Sequence, residues 1–234
     1  TGGTKFIIFI RRKYEIFIRE IIESSKRNID LDKLELQRKL FTTATKEKFK
    51  FDKSESWKFL TSCLDTIGDS QFAIIHFQNG KLENHKEFNT GERYLRLYGL
   101  LSAVYIQQQS IIKLADLFKL RDFNLIKDEF KTLKITELRH YISAHPVNFS
   151  GPGKIESFKI DRSSMTDEKC VTVINENNNS IHFRIFEMIT EYGFTAEMSL
   201  KKVGEKLIEN LYKKSSSQKM KELLREMNKI KYSR

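Results

Sequence analysis

Residues Glu92 to Leu120 read ERYLRLYGLLSAVYIQQQSIIKLADLFKL. Tyr94, Leu97, Leu101, Val104, Tyr105, Ile111, Ile112, Ala115 and Phe118 recur at three- and four-residue intervals, which gathers them into one wide apolar stripe on a helix. Gln107, Gln108 and Gln109 interrupt the stripe. Buried glutamines of this kind usually hydrogen-bond to a neighbouring helix; a role in a pocket is the alternative.

A stripe this wide needs a partner, and the next segment supplies one. Asn124 to Ala144 carries Leu125, Phe130, Leu133, Leu138, Tyr141 and Ile142 at helical spacing. The short connection between the two segments predicts antiparallel packing at the core of a bundle. The second helix should stop at His145, because Pro146 disfavours helical ψ in the residue before it.

Working outward, Lys13 to Lys26 places Tyr14, Phe17, Ile18, Ile21 and Ile22 on one helical face, and a more polar helical stretch follows around Leu31 to Phe49. Ser54 or Ser56 can cap a third helix with Trp57, Leu60, Leu64 and Ile67 on one side, which Gly68 should interrupt and Phe72 to Phe77 resume. Residues 78–91, QNGKLENHKEFNTG, read as a loop. Beyond Pro146 the period changes. Ser150 to Lys154 is a turn, residues 157–162, 170–175 and 181–186 read as short strands, and Asn175 to Asn179 as the turn joining the last two. Helices around 185–192 and 200–229, broken at Ser215-Ser216-Ser217-Gln218, close the chain. The expected fold is all-α, an antiparallel helical bundle with a small β-hairpin insert near residues 157–186. Within one domain, 1–150 form the main bundle, 151–186 the β insert and 187–234 basic C-terminal helices.

Composition agrees with a globular helical chain. Among 234 residues there are only two prolines and ten glycines, and 39% are hydrophobic. Cys63 and Cys170 lie too far apart for a CxxC site or a disulfide framework, which points to a reducing cytoplasm. The apolar run Phe6 to Ile10 stops at Arg11-Arg12-Lys13, too short for a membrane span and without a signal-peptide cleavage site.

The net charge of +11 is uneven. Residues 1–50 hold 13 basic and 7 acidic side chains and residues 201–234 hold 11 and 4, whereas the middle of the chain holds 18 and 20. Clustered cations of this sort suit a polyanion such as RNA, with Arg11, Arg12, Lys201, Lys202, Lys213 and Lys214 as candidate backbone contacts. Solvated Lys-rich helices are the plainer explanation.

Several motifs carry little. Ser150-Gly-Pro-Gly-Lys154 lacks the spacing of a phosphate loop, and the five histidines show no metal-ligand spacing. No cofactor or metal is therefore expected. The remaining cluster is Glu137 to Pro146, ELRHYISAHP, with Arg139, His140 and His145. Cations in the last turn of a helix complement its dipole and unpaired carbonyls, which explains them structurally. On a regular α-helix, residues six apart lie about 240° round and about 9 Å along, so Arg139 and His145 share no face by period.

Arg139-His140-Tyr141-Ile142-Ser143-Ala144-His145 nonetheless resembles the R-x(4–6)-H motif of the HEPN superfamily. The local text is also similar to a group of uncharacterised bacterial HEPN-like proteins that read roughly ELRNxxxGHP, whose preceding helix resembles Tyr94-Leu-Arg-Leu-Tyr-Gly-Leu-Leu-Ser-Ala103 followed by Ile106 to Gln109. The resemblance covers about Glu92 to Pro146. It implies a homodimer in which two motifs face one cleft, and a metal-independent endoribonuclease of toxin–antitoxin or phage-defence type, with an antitoxin or defence-system protein as a further partner. In that chemistry His145 serves as the acid/base for the 2′-OH or the leaving 5′-oxygen. Arg139 holds the scissile phosphate, and the products are a 2′,3′-cyclic phosphate and a 5′-hydroxyl. Most relatives carry Asn or Asp after the arginine; here His140 stands there as the third catalytic candidate. Some HEPN domains bind RNA or nucleotides without cleaving, so a non-catalytic binding or regulatory protein, or a helical interaction module, is the alternative.

Overall fold

The computed structural model describes residues 16–20, 55–84, 88–144, 149–151, 154–166, 170–212 and 217–230. The described part is mostly helical with small antiparallel sheets. Residues 16–20 are helical, and Ile18 is fully buried against the bundle. The rest of the first expected helix and all of the second lie outside the described residues.

Helix α1 spans Ser56–Asn84 and α2 Thr90–Leu117; they pack along their lengths and form the most extensive helix–helix interface. α1 runs straight through Gly68 and through much of the expected loop. A helical glycine costs only about 1 kcal/mol relative to alanine. Burying Leu60, Leu64, Ile67, Ile74 and Phe77 outweighs that several times over. At the start of α2, the Asn89 side chain accepts from the Glu92 N–H (3.0 Å) and the Glu92 carboxylate accepts from the Asn89 N–H (2.9 Å), a reciprocal capping box. Arg96 fastens the two helices near this end. It donates to the Phe77 carbonyl at 2.8 Å and lies over the rings of Phe77 and Phe88. At the far end α2 stops with Lys119 in the left-handed region (φ 50°), and the Leu120 N–H donates back to the Ala115 carbonyl.

The second core helix is divided. α3 spans Phe123–Thr132 and α4 Lys134–Arg139, separated by Leu133, whose extended backbone (ψ 137°) turns its side chain into the core. The Thr136 hydroxyl donates to the Phe130 carbonyl and so satisfies an acceptor the break exposes. After Arg139 the backbone widens into a single π turn, His140–Ala144, in place of the expected α-helical end. Tyr141 and Ile142 are both buried there. Tyr141 stacks on Phe158 at 4.1 Å and reaches Phe183 at 6.1 Å, while its hydroxyl donates to Glu137.

Those two phenylalanines belong to the β part. Strands β1 (Phe149–Gly151) and β2 (Lys154–Glu156) form a two-stranded hairpin, so the expected Ser150–Lys154 turn includes short paired strands. β3 (Phe158–Ile160), β4 (Cys170–Asn175) and β5 (Ser180–Arg184) form an antiparallel three-stranded sheet in the order β3-β4-β5. Its register pairs Val171 with Phe183 and Ile160 with Val173. The asparagine turn is as expected. Asn178 takes φ 59°, and the Asn175 side chain accepts from the N–H groups of Asn177 and Asn179.

β5 passes directly into α5, Ile185–Tyr212, which is continuous where a gap after Tyr192 was expected. Ile185, Met188, Ile189, Tyr192, Ala196, Leu200, Val203, Leu207 and Ile208 are buried at helical intervals along it, and that period overrides Gly193. α6, Ser217–Ile230, folds back on α5 with Leu223 inward. The buried side chains of α1 to α6 and of the three-stranded sheet form one core cluster.

Candidate functional site

α4 and the π turn sort their side chains into two sets. Leu138, Tyr141 and Ile142 go inward; Arg139 and His140 are half-buried and Ser143 is exposed. The Ser143 hydroxyl donates to the Arg139 carbonyl at 3.0 Å. Because the wider turn begins immediately after Arg139, the α-helical angle no longer relates it to residues further on. His145 itself lies outside the described residues.

The Arg139 side chain leaves its own helix and meets α2. Its guanidinium carbon lies 3.6 Å from the centre of the Tyr105 ring. That distance fixes the orientation. With C–N bonds of about 1.3 Å, an edge-on guanidinium would push a nitrogen to within about 2–3 Å of the ring, inside van der Waals contact. The guanidinium therefore lies flat on the tyrosine and its N–H groups point sideways. Among the described residues it has neither a hydrogen bond nor an ion pair. Arg19, Arg93, Arg96 and Arg184 are bonded to Asp65, the Met165 carbonyl, the Phe77 carbonyl and Glu187 respectively, whereas Arg121, Arg162 and Arg225, unbonded among the described residues like Arg139, are exposed. A half-buried guanidinium whose donors have no partner among the described residues has the chemistry to take an anion.

Tyr105 was legible in the sequence only as one member of an apolar stripe. Next to it on α2, a second and outward stripe carries Leu95, Tyr98 and Ile106, which are 73%, 39% and 45% exposed. Exposed Ser102 and Gln109 complete that face, with Tyr105 at its edge.

Of the basic candidates, Lys201 and Lys202 lie on α5 and are engaged with carboxylates. Lys202 pairs with Asp122 at 3.1 Å and Lys201 approaches Glu205 at 3.9 Å. Lys202 borders a cleft of about 550 Å³ between α5, α6 and the α2–α3 connection. Three cations (Arg121, Lys202, Lys206) and three carboxylates (Asp122, Glu205, Glu209) line it, so its field is balanced. Arg11, Arg12, Lys213 and Lys214 lie outside the described residues.

The glutamine run is structural at its first member. Gln107 is fully buried; its amide N–H groups reach the Ile67 carbonyl (3.0 Å) and Ser70 (3.2 Å), and its carbonyl accepts from the Tyr192 hydroxyl (2.9 Å). This is the interhelical bonding expected of it. Cys63 is buried in α1, where burial pushes its thiol up to about 11 against a smaller opposing pull from the Lys113 charge. That leaves it protonated and unsuited as a nucleophile. Among the described residues no three His, Cys, Asp or Glu side chains gather as a metal site requires, and no helix is long and apolar enough to cross a membrane. Comparison with protein-family models, with curated proteins and with solved structures yields no match.

Proposed function

We propose that this chain is a HEPN-like, metal-independent endoribonuclease that works as a homodimer. The observation that carries the reading is Arg139, held flat on Tyr105 and without an anion partner among the described residues. In this reading its in-plane N–H groups grip the scissile phosphate in bidentate fashion and stabilise the charge that builds on it. His145 exchanges the proton with the 2′-OH or the leaving 5′-oxygen; its part rests on the motif resemblance. His140, beside Arg139 on the half-buried side, adds a second imidazole near the phosphate. The toxin or defence role and an antitoxin partner follow from the same resemblance.

The decisive experiment incubates the purified chain with RNA in EDTA and maps the new ends. The reading expects 2′,3′-cyclic phosphate and 5′-hydroxyl termini that disappear in His145→Ala. RNA binding without such ends, at enzyme in excess over RNA, supports the non-catalytic HEPN-like alternative. A protein-interaction role is favoured by a separate feature, the outward apolar side chains of α2, and gains if RNA is neither bound nor cut.

A further inference from the structure

We infer that Tyr105 is the positioning residue of this site, the group that keeps the Arg139 guanidinium in the orientation bidentate phosphate binding needs. The inference rests on the ribonuclease reading above. Arginine carries many rotamers, and an unanchored guanidinium loses that freedom each time it binds. Here the two ends of the side chain are fixed by different elements. The backbone end is held by α4 and the π turn, whose Leu138, Tyr141 and Ile142 are buried. The head group is held by a ring on α2, with its carbon 3.6 Å from the ring centre.

An aromatic ring suits this task better than a carboxylate. A carboxylate would occupy two of the five N–H donors and cancel the charge. A ring attracts the cation through its face, and because contact is face to face, the donor edges remain open in the plane. The hydroxyl of Tyr105 plays no part in that argument, so phenylalanine should replace tyrosine and an aliphatic residue should not.

The test uses the full chain and a single-stranded RNA oligonucleotide, with affinity read by fluorescence anisotropy and cleavage by kcat and KM. Wild type is measured first. If it neither binds nor cuts the RNA, the ribonuclease reading fails and the inference falls with it. Given wild-type activity, Tyr105→Phe should stay within about twofold, and Tyr105→Leu should weaken RNA binding about three- to tenfold, the range of a partly desolvated cation–π contact. In an Arg139→Ala background the Tyr105→Leu effect should shrink below about twofold, because nothing remains to be positioned. Tyr105→Met takes the place of Leu if the latter unfolds. An equal loss with and without Arg139, an equal loss in Phe and Leu, or no loss in Leu would each overturn the inference while leaving the ribonuclease reading standing.

Discussion

The Tyr192 hydroxyl of α5 donates to the Gln107 side-chain carbonyl of α2 across 2.9 Å, while the same glutamine amide binds Ile67 and Ser70 of α1. One fully buried side chain thereby ties three long helices together. Buried polar groups are costly to orphan, at about 1–3 kcal/mol each. Gln107→Leu should therefore cost about 2–4 kcal/mol in urea unfolding, and Tyr192→Phe about 1–2 kcal/mol. The double variant should lose less than the sum, since either single change already removes the Tyr192–Gln107 bond and leaves the Tyr192 hydroxyl, where it is retained, its longer contact to the Val104 carbonyl at 3.3 Å. Strict additivity in the cycle would show that the two groups do not support each other.

Lys119 ends α2 with φ 50°, an orientation in which its Cβ crowds the backbone. The side chain is exposed and has no core to fill. Lys119→Gly should raise stability by about 0.5–1 kcal/mol, the left-handed penalty less the extra freedom glycine gives the unfolded chain. A lower midpoint in chemical denaturation would contradict the assignment of strain there.

How much of this was legible depends on whether a local pattern or a distant contact decides each feature. The strands β3 to β5 and the turn at Asn178 were readable because alternation and an asparagine that tolerates positive φ are local signals. The continuity of α1 past Gly68 and of α5 past Gly193 was not, since burial on a distant helix outweighs a penalty written in one residue. The break at Leu133 carries neither glycine nor proline. The π turn at His140–Ala144 is held by Tyr141 against Phe158 and Phe183, residues that follow it in the chain. The motif singles out Arg139 as a candidate, but the ring it rests on belongs to another helix, and spacing within ELRHYISAHP contains no trace of it.

Burial holds the Cys63 thiol near 11, above the ordinary 9.0. The folded state favours the protonated form, so this contribution to stability is complete below pH 9 and is lost as pH rises through 11. Cys63→Ala should accordingly show a shallower fall in stability than wild type over that window. Cys63 is buried and its thiol is held protonated, so at pH 8 iodoacetamide should label half-buried Cys170 first. Equal labelling rates, followed by peptide mass spectrometry, would contradict the burial of Cys63.

If the proposed homodimer closes over the outward face of α2, Leu95, Tyr98 and Ile106 lie at the centre of the contact and Tyr105 at its edge. A charge placed in such a face has no partner when two copies meet, and a buried unpaired charge costs several kcal/mol. Ile106→Glu should therefore convert a dimer to a monomer in sedimentation at micromolar concentration, with little change in the melting of the monomer. A monomeric wild type would remove the dimer from the proposal.

Arginine and lysine should differ sharply at 139. Both are cations, but only the planar guanidinium lies flat on Tyr105 at 3.6 Å and still presents paired donors sideways. If the residue merely complemented a helix end, Arg139→Lys would behave like wild type, because charge alone serves that purpose. If it clamps a phosphate as charge develops, Arg139→Lys should lower EDTA-resistant cleavage at least about tenfold, and Arg139→Ala about 10²- to 10³-fold. The loss should fall on kcat more than on KM, since the second N–H···O bond gains most where charge builds. A lysine variant with unchanged kcat would reduce Arg139 to a helix-end cation and leave the resemblance without its chemistry.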